Sequence, residues 1–333
     1  MSALALGKVL LTGATGHLGG RLLRELTSSG YEVRASYRPG DPLTALDGIE
    51  CEHFPADLLD REALDGLSAG VDAVCHLAAW VTFQPKHYEA QLRINVEGTR
   101  LLLAAARRAG VRRFLYTATV NTLGIPRPPG SFGDEDTPFD WGPYRLGYMD
   151  SKRAAEEAVL AAGAPGFETL SVNPGTMFGP GDVFGSAGSY ILEAARGRLL
   201  FALPGGTTVA HVDDVARGHR LALEGGLPGR RYILGGEAVP YAKLFGWINQ
   251  ALGRPGPFFT LPALGLLAAG RLSDGLRDRL GLPVPFSEGL AMAACAPLYY
   301  SSARAERELG YSARPAREAV EDAVAWYRFT GRI

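Results

Sequence analysis

Tyr148 and Lys152 stand four residues apart in Tyr148-Met-Asp-Ser-Lys152, a spacing that sets a phenol and an ammonium one turn apart on one helix face. A phenol ordinarily ionises near pH 10, too high for acid–base work at neutral pH, and a neighbouring cation favours its ionised form. Bringing it down to about 7 asks for roughly 4 kcal/mol of electrostatic help. Upstream, Thr12-Gly13-Ala14-Thr15-Gly16-His17-Leu18-Gly19-Gly20 spaces Gly13, Gly16 and Gly19 three apart, between a strand pattern and a helix pattern. The first glycine allows a tight turn, the second lets a pyrophosphate approach the backbone, and the third lets helix and strand pack closely. The helix N-terminus then offers N–H groups and a positive dipole end to phosphate, with Thr15, His17 and Leu18 along the same turn. His17 either flanks a phosphate or caps the helix. The spacing departs by one residue from G-x-G-x-x-G, so its weight comes from its place at the head of a βαβ series.

The strand after this helix, Glu32 to Arg38, bears on which dinucleotide is preferred. An NAD site wants a carboxylate near its end to accept from the ribose 2′-OH. Here Ser36, Tyr37 and Arg38 occupy that end, and Arg38 can hold a 2′-phosphate in a bidentate way. The expected cofactor is NADP(H) in preference to NAD(H).

Short apolar runs alternate with helical patterns from Lys8 to about Thr119, the signature of βαβ units around a parallel sheet. Strands are expected at Lys8–Thr12, Glu32–Ser36, Ile49–Pro55, Ala73–Leu77, Arg113–Thr117 and Glu168–Val172. Helices are expected at Leu18–Ser29, Arg61–Leu67, Tyr88–Ala109 and Gly147–Ala162. Strands such as Val9-Leu10-Leu11 are apolar on both faces, as a sheet covered on each side requires. The stretch from Ile125 to Gly133 is too rich in Pro and Gly for regular structure and reads as a loop over a ligand site or a plain surface connection. The fold class is α/β, a Rossmann-type doubly wound parallel sheet with a smaller C-terminal substrate domain. Residues 1–173 form the NAD(P)-binding part and 174–333 mainly the substrate part, with about 207–235 returning to the first. Gly and Pro clusters at 174–188, 204–206, 253–257 and 281–285 mark the irregular second half.

Together these motifs resemble the extended short-chain dehydrogenase/reductases, in the branch of dihydroflavonol 4-reductase-like and NAD-dependent epimerase/dehydratase proteins, over nearly the whole chain. Asp57-Leu58 looks like that family's adenine-contacting pair, and His76-Leu77-Ala78-Ala79 like the segment beneath the cofactor. Asn95-Val-Glu-Gly-Thr resembles its long-helix motif. The run from Asn173 through Pro174, Gly175, Thr176, Met177 and Phe178 to Gly181 resembles its R-P-x-x-x-(Y/F)-G-P-G loop, with Asn in place of Arg. His211 to Ala216 and Ser302 to Gly310 resemble later elements. The resemblance implies a catalytic hydroxyl in the run Tyr116-Thr117-Ala118-Thr119, where Thr119 replaces the usual Ser. It further implies that Thr119 polarises a carbonyl oxygen, that Tyr148 supplies the proton, and that Lys152 holds the ribose and tunes Tyr148. Thr117 joins the cofactor contacts, and Asn95 is a backbone- or water-binding support. Trp80, Phe83, Met177 and Phe178 follow cofactor-contacting segments and read as a largely apolar substrate pocket.

The bulk composition is consistent with such an enzyme. In 333 residues, 34 Lys+Arg against 35 Asp+Glu leave a net charge of -1, which argues against a nucleic-acid or anionic-membrane binder. The 43 glycines follow no period, so repeat architectures are excluded. Cys51, Cys75 and Cys295 are far apart and odd in number, which suggests a reducing, cytoplasmic setting, and no signal peptide is read from Met1 to Leu11. Cys75 reads as a small buried apolar residue. The histidines have no metal-binding spacing, so no metal is expected. Asp213 or Asp214 is expected to cap the helix running to about Leu223. Expected partners are a small carbonyl or alcohol substrate and a second copy, pairing through helices 88–109 and 147–162, with neither nucleic acid nor membrane. The alternative is a nucleotide-sugar epimerase or dehydratase with tightly held NAD, for which Arg196, Arg198, Arg230 and Arg231 would meet the diphosphate. Reduction of plant-type flavonoids is disfavoured, because Gly124 stands where such enzymes carry a substrate-reading Asn.

Overall fold

A computed structural model describes residues 7–280, 282, 284 and 286–333; Met1 to Leu6 and part of the 281–285 cluster fall outside the described residues. The first half alternates β1 (Lys8–Thr12), α1 (His17–Ser28), β2 (Glu32–Tyr37), β3 (Glu52–Pro55), α2 (Arg61–Ser68), β4 (Ala73–His76), α3 (Tyr88–Leu92), α4 (Gly98–Arg108), β5 (Arg113–Thr117), α5 (Gly147–Ala161) and β6 (Glu168–Pro174). The strands form one parallel sheet in the order β3-β2-β1-β4-β5-β6, extended beyond β6 by β10 (Arg231–Leu234). Val9 and Leu11 pack with α1 residues Leu22 and Leu26 on one face, while Leu10 and Val74 meet Leu64, Leu102 and Val159 on the other. Burial on both faces explains the unbroken apolar run, each leucine contributing about 2 kcal/mol.

Two expected elements differ. The strand at Ile49–Pro55 begins only at Glu52, because Ile49 closes a turn onto Leu46 and packs against the core. The helix expected from Tyr88 to Ala109 is interrupted by one π-helical segment, Arg93–Glu97. There Thr99 Oγ1 donates to the Asn95 carbonyl at 2.6 Å, and the Asn95 side chain leaves the helix for the loop after β4.

Beyond β6 the chain builds β7 (Thr176–Phe178), α6 (Ser189–Ala195), β8 (Phe201–Ala202), β9 (Gly206–His211), α7 (Val212–Gly225), β10, β11 (Glu237–Pro240), α8 (Tyr241–Ala251), β12 (Phe259–Thr260), α9 (Ala263–Leu280), α10 (Glu288–Cys295), β13 (Pro297–Leu298), α11 (Ala303–Leu309) and α12 (Ala316–Phe329). A small sheet joins β11, β9 and β13, with β7 also on β9. Residues 207–211 thus lie in the small sheet, while α7 packs on α1 and β10 enters the large one. The α1–α7 contact is clamped by Arg21 with Asp213 and by Arg220 with Glu25 at 2.7 Å. The cap of α7 is therefore not an aspartate: His211 Nδ1 accepts from the Asp213 N–H at 3.0 Å, Asp213 serves Arg21, and buried Asp214 serves Arg314. The 125–133 loop is irregular, and its end is stapled to the strand side by Gly133 N to the Tyr299 carbonyl at 2.9 Å.

Candidate active site

Parallel pairing brings the C-terminal ends of β1, β2, β4, β5 and β6 to one edge of the sheet, where ligands of open α/β folds bind. Gly13 opens this edge with φ +70°, and a Cβ there would lie 2.9 Å from the Ala78 nitrogen. A Cβ on Gly19 would fall 2.0 Å from the Gly13 carbonyl, so turn and helix touch backbone to backbone. Gly16 is the N-cap of α1 and adds no side-chain cap, which leaves the helix end to be met by an anion. This cradle, walled by backbone and headed by a helix N-terminus, fits a dinucleotide pyrophosphate. Leu18 sends its side chain into the core, so only its backbone faces the turn. His17 opens α1, hydrogen-bonds the Gly179 backbone and is held below its ordinary pKa by burial.

Beneath the cradle runs a neutral polar chain. Thr12 Oγ1 accepts from the N–H groups of Leu77 and Ala78, each at 3.2 Å, so its proton goes to His76 Nδ1 at 2.7 Å. His76 Nε2 then donates to Thr99 Oγ1 at 2.9 Å, and Thr99 donates to the Asn95 carbonyl. Burial, with Lys152 adding to it, depresses His76 to about 3. The Asn95 side chain brackets Trp80, accepting from its N–H at 2.7 Å and donating to its carbonyl at 3.0 Å, and also donates to Ser151 of α5. The loop carrying Ala79 and Trp80 is thereby tied to the helix carrying Tyr148.

At the ribose end, Arg38 is largely exposed and pairs with Asp41 at 3.0 Å, while the other Asp41 oxygen takes the Thr15 hydroxyl at 3.3 Å. A carboxylate thus returns to this end by a turn, although the C-terminal end of β2 itself lacks one. Nearby, Asp57 Oδ1 accepts from the Leu59 N–H at 2.8 Å, and Leu58 packs under Gly98.

Thr119, Tyr148 and Lys152 converge between β5 and α5. The Thr119 side chain hydrogen-bonds the Tyr148 hydroxyl, which burial holds above the ordinary phenol range against that bond. Lys152 is engaged by β5. Its ammonium donates to the Thr117 carbonyl and lies 4.2 Å from the Tyr116 ring centre. Burial lowers Lys152 to about 7, with Glu156 opposing. The Thr117 hydroxyl is turned toward His219 at 2.9 Å, so this residue offers only backbone to the site.

The expected pocket residues separate. Phe83 meets the Tyr148 ring edge-on at 5.5 Å, and Trp80 stands on the same loop against His87. Phe178 instead is 1% exposed among Ile191, Val209 and Phe245, a core position of the small-sheet half. Met177 packs against the large-sheet core, Thr176 Oγ1 meets Thr207 Oγ1 at 2.7 Å, and Gly175 follows Pro174 with its N–H on the Leu234 carbonyl. Tyr144, Leu290 and Met292 pack into the cluster that includes Tyr148, a contact no motif announces. Asp41 and Glu156 were also missed. Only Glu156 had a readable signal, a third polar residue continuing the spacing of four through Tyr148 and Lys152. Burial lifts the Cys75 thiol to about 12, which suits a packing role. Among the described residues, no His/Cys/Asp/Glu group could hold a metal, and no helix is long and apolar enough to cross a membrane.

Known proteins resemble this chain in both sequence and shape. The model of the NAD dependent epimerase/dehydratase family matches residues 9–235. Sterol demethylase protein B of Methylococcus capsulatus is 34% identical over 329 residues, 97% of this chain and 99% of that protein. The 2-alkyl-3-oxoalkanoate reductase of Stenotrophomonas maltophilia is 32% identical over 91% of this chain and 94% of its own. The crystal structure of gox2253, 35% identical, superposes with a TM-score of 0.87 over 98% of this chain and 99% of that one.

Proposed function

The chain belongs to the NAD dependent epimerase/dehydratase family of extended short-chain dehydrogenase/reductases and is an NAD(P)-dependent oxidoreductase, and we propose that it reduces a carbonyl of a small, partly apolar substrate with NADPH. The observation that carries this reading is the meeting of Thr119 and Phe83 at Tyr148, with Lys152 held against Thr117 and Tyr116 of the adjoining β5, at the sheet edge that also holds the glycine turn.

Gly13, Gly16 and Gly19, with the backbone of Thr15, His17 and Leu18, would hold the pyrophosphate; Arg38 and Asp57 would meet the adenosine end. Leu77, Ala78, Ala79, the Thr117 backbone, Lys152 and Pro174–Met177 would border the nicotinamide half. A dinucleotide held there would supply the hydride for the carbonyl carbon. Tyr148 gives its proton to the carbonyl oxygen, and its raised pKa keeps that proton in place until negative charge develops. Thr119 bonds the same oxygen and fixes the Tyr148 hydroxyl. Lys152, held on the Thr117 carbonyl, would meet the ribose, and Trp80 and Phe83 would cover the apolar part of the substrate.

The relative named 2-alkyl-3-oxoalkanoate reductase supports a β-keto acid or ester as probe. Tyr148→Phe should lower kcat with NADPH and ethyl 2-methylacetoacetate by about 10³-fold while leaving NADP⁺ affinity nearly unchanged. A fully active Phe variant would place the proton donor elsewhere. Three of the four arginines that the epimerase reading needs are engaged: Arg196 and Arg198 with Glu193, and Arg231 with Glu156. That engagement favours the reductase.

A further inference from the structure

A buried charged group beside the site takes no part in that chemistry. Glu156 is fully buried, one helical turn past Lys152 on α5. Its Oε2 accepts from Thr122 Oγ1 at 2.8 Å; its Oε1 accepts from Ser171 Oγ and Asn173 Nδ2, each at 2.8 Å, and lies 3.2 Å from Arg231 Nε. These partners come from three other segments: the short turn Val120–Thr122, β6 and β10. A carboxylate enclosed this way is costly to strip of partners and costly to leave charged without them. Asn173 stands where the resembling loop motif carries Arg, and Arg231 brings a guanidinium from the adjacent strand, β10.

Two of the partners reach the reaction. Asn173 Nδ2 also lies 3.0 Å from Thr122 Oγ1 and 3.3 Å from the Thr119 carbonyl. Thr122 stacks on the same carbonyl through its N–H at 3.0 Å. The turn from which the Thr119 hydroxyl projects toward Tyr148 is thus gripped from behind the sheet by groups that Glu156 orients. Toward Lys152, the facing groups are Glu156 on its own helix, the Tyr116 ring and Thr117 carbonyl on β5, and neutral His76 on β4. Of these, Glu156 is the anion.

We propose that Glu156 is a positioning residue for the reaction: through Thr122 and Asn173 it fixes the Thr119 turn, and from one helical turn away it keeps Lys152 protonated. This rests on the reading of Thr119, Tyr148 and Lys152 given above. Its second half agrees with the opposition of Glu156 to the burial that lowers Lys152.

The chain has four lysines, Lys8, Lys86, Lys152 and Lys243, so the Lys152 ammonium can be followed by NMR in protein carrying ¹³C at lysine Cε, without substrate. Glu156→Gln should move the Lys152 titration to lower pH by on the order of one unit. It should also lower kcat with NADPH and ethyl 2-methylacetoacetate by roughly tenfold, with the alkaline limb of kcat/KM displaced the same way. Glu156→Asp should restore the titration. An unmoved titration, or equal loss of activity at every pH, overturns the proposal. If the Gln variant does not fold, Thr122→Val carries the test: it keeps the charge, so kcat should fall while the Lys152 titration stays, and a wild-type kcat would overturn the positioning role. A Lys152→Met variant with full activity would instead sink the catalytic reading itself, whatever Glu156 does.

Discussion

The two halves of the molecule solve burial differently. The large sheet is covered on both faces, and its interior polar groups form closed chains such as Thr12–His76–Thr99–Asn95. The small-sheet half has a core of its own, yet it leaves α9 with only Gly270 and Ser273 buried and exposes Phe201, Phe258, Phe259, Leu264 and Leu272. The glycine turn is fixed by backbone contacts that tolerate no added atom, whereas the surroundings of Tyr148 are assembled from side chains on separate segments. The first kind of site constrains sequence locally; the second does not.

The sharpest way to break this contrast is Gly19→Val. Its side chain would enter the Gly13 carbonyl, so NADPH affinity, read by fluorescence titration, should fall roughly 100-fold. Retained affinity would mean that the turn yields like a loop. Acid comes next. His76 and His219 are depressed by burial to about 3 and about 4, so below pH 6.5 the unfolded chain takes up protons that the native state refuses. Stability present above pH 6.5 should be lost as pH falls toward 4, by about 2 kcal/mol per imidazole at pH 5. Urea midpoints that do not change between pH 7 and 5 would contradict it. A smaller effect is expected for Arg38→Ala, which should lower the NADPH over NADH ratio of kcat/KM by about tenfold. A wild-type preference for NADH would remove Arg38 from the site. Asp41→Asn should move the ratio the other way, by freeing Arg38. The smallest effect is on the exposed helix: Leu264→Ser, at 83% exposure, should change stability by less than about 0.5 kcal/mol in a thermal melt.

The same contrast explains what could be read beforehand. The glycine turn, the strands and the Tyr148–Lys152 pair are local patterns, and each lies within a residue or two of where periodicity puts it, β3 excepted. The place of Phe178 is not legible in the sequence, because adjacency to a motif does not say which way a strand faces, and the small sheet turns it inward. The cap of α7 differs from the expected aspartate because Asp213 is claimed by Arg21 on a helix far away in sequence. Asp41 escaped notice because only the turn after β2 swings it back to Thr15. In each case the missing information is a contact between distant segments.

β10 completes the large sheet only after the chain has built β7 and β9 elsewhere, and this order matters while the protein is being made. Until residues 231–234 leave the ribosome, β6 is an open edge, and α1 waits for α7 to cover it. Neither half can therefore be finished before most of the other has been synthesised. A cut after Asn173 would leave one fragment with β6 as an open sheet edge and the other with β10, a strand that has no sheet to join.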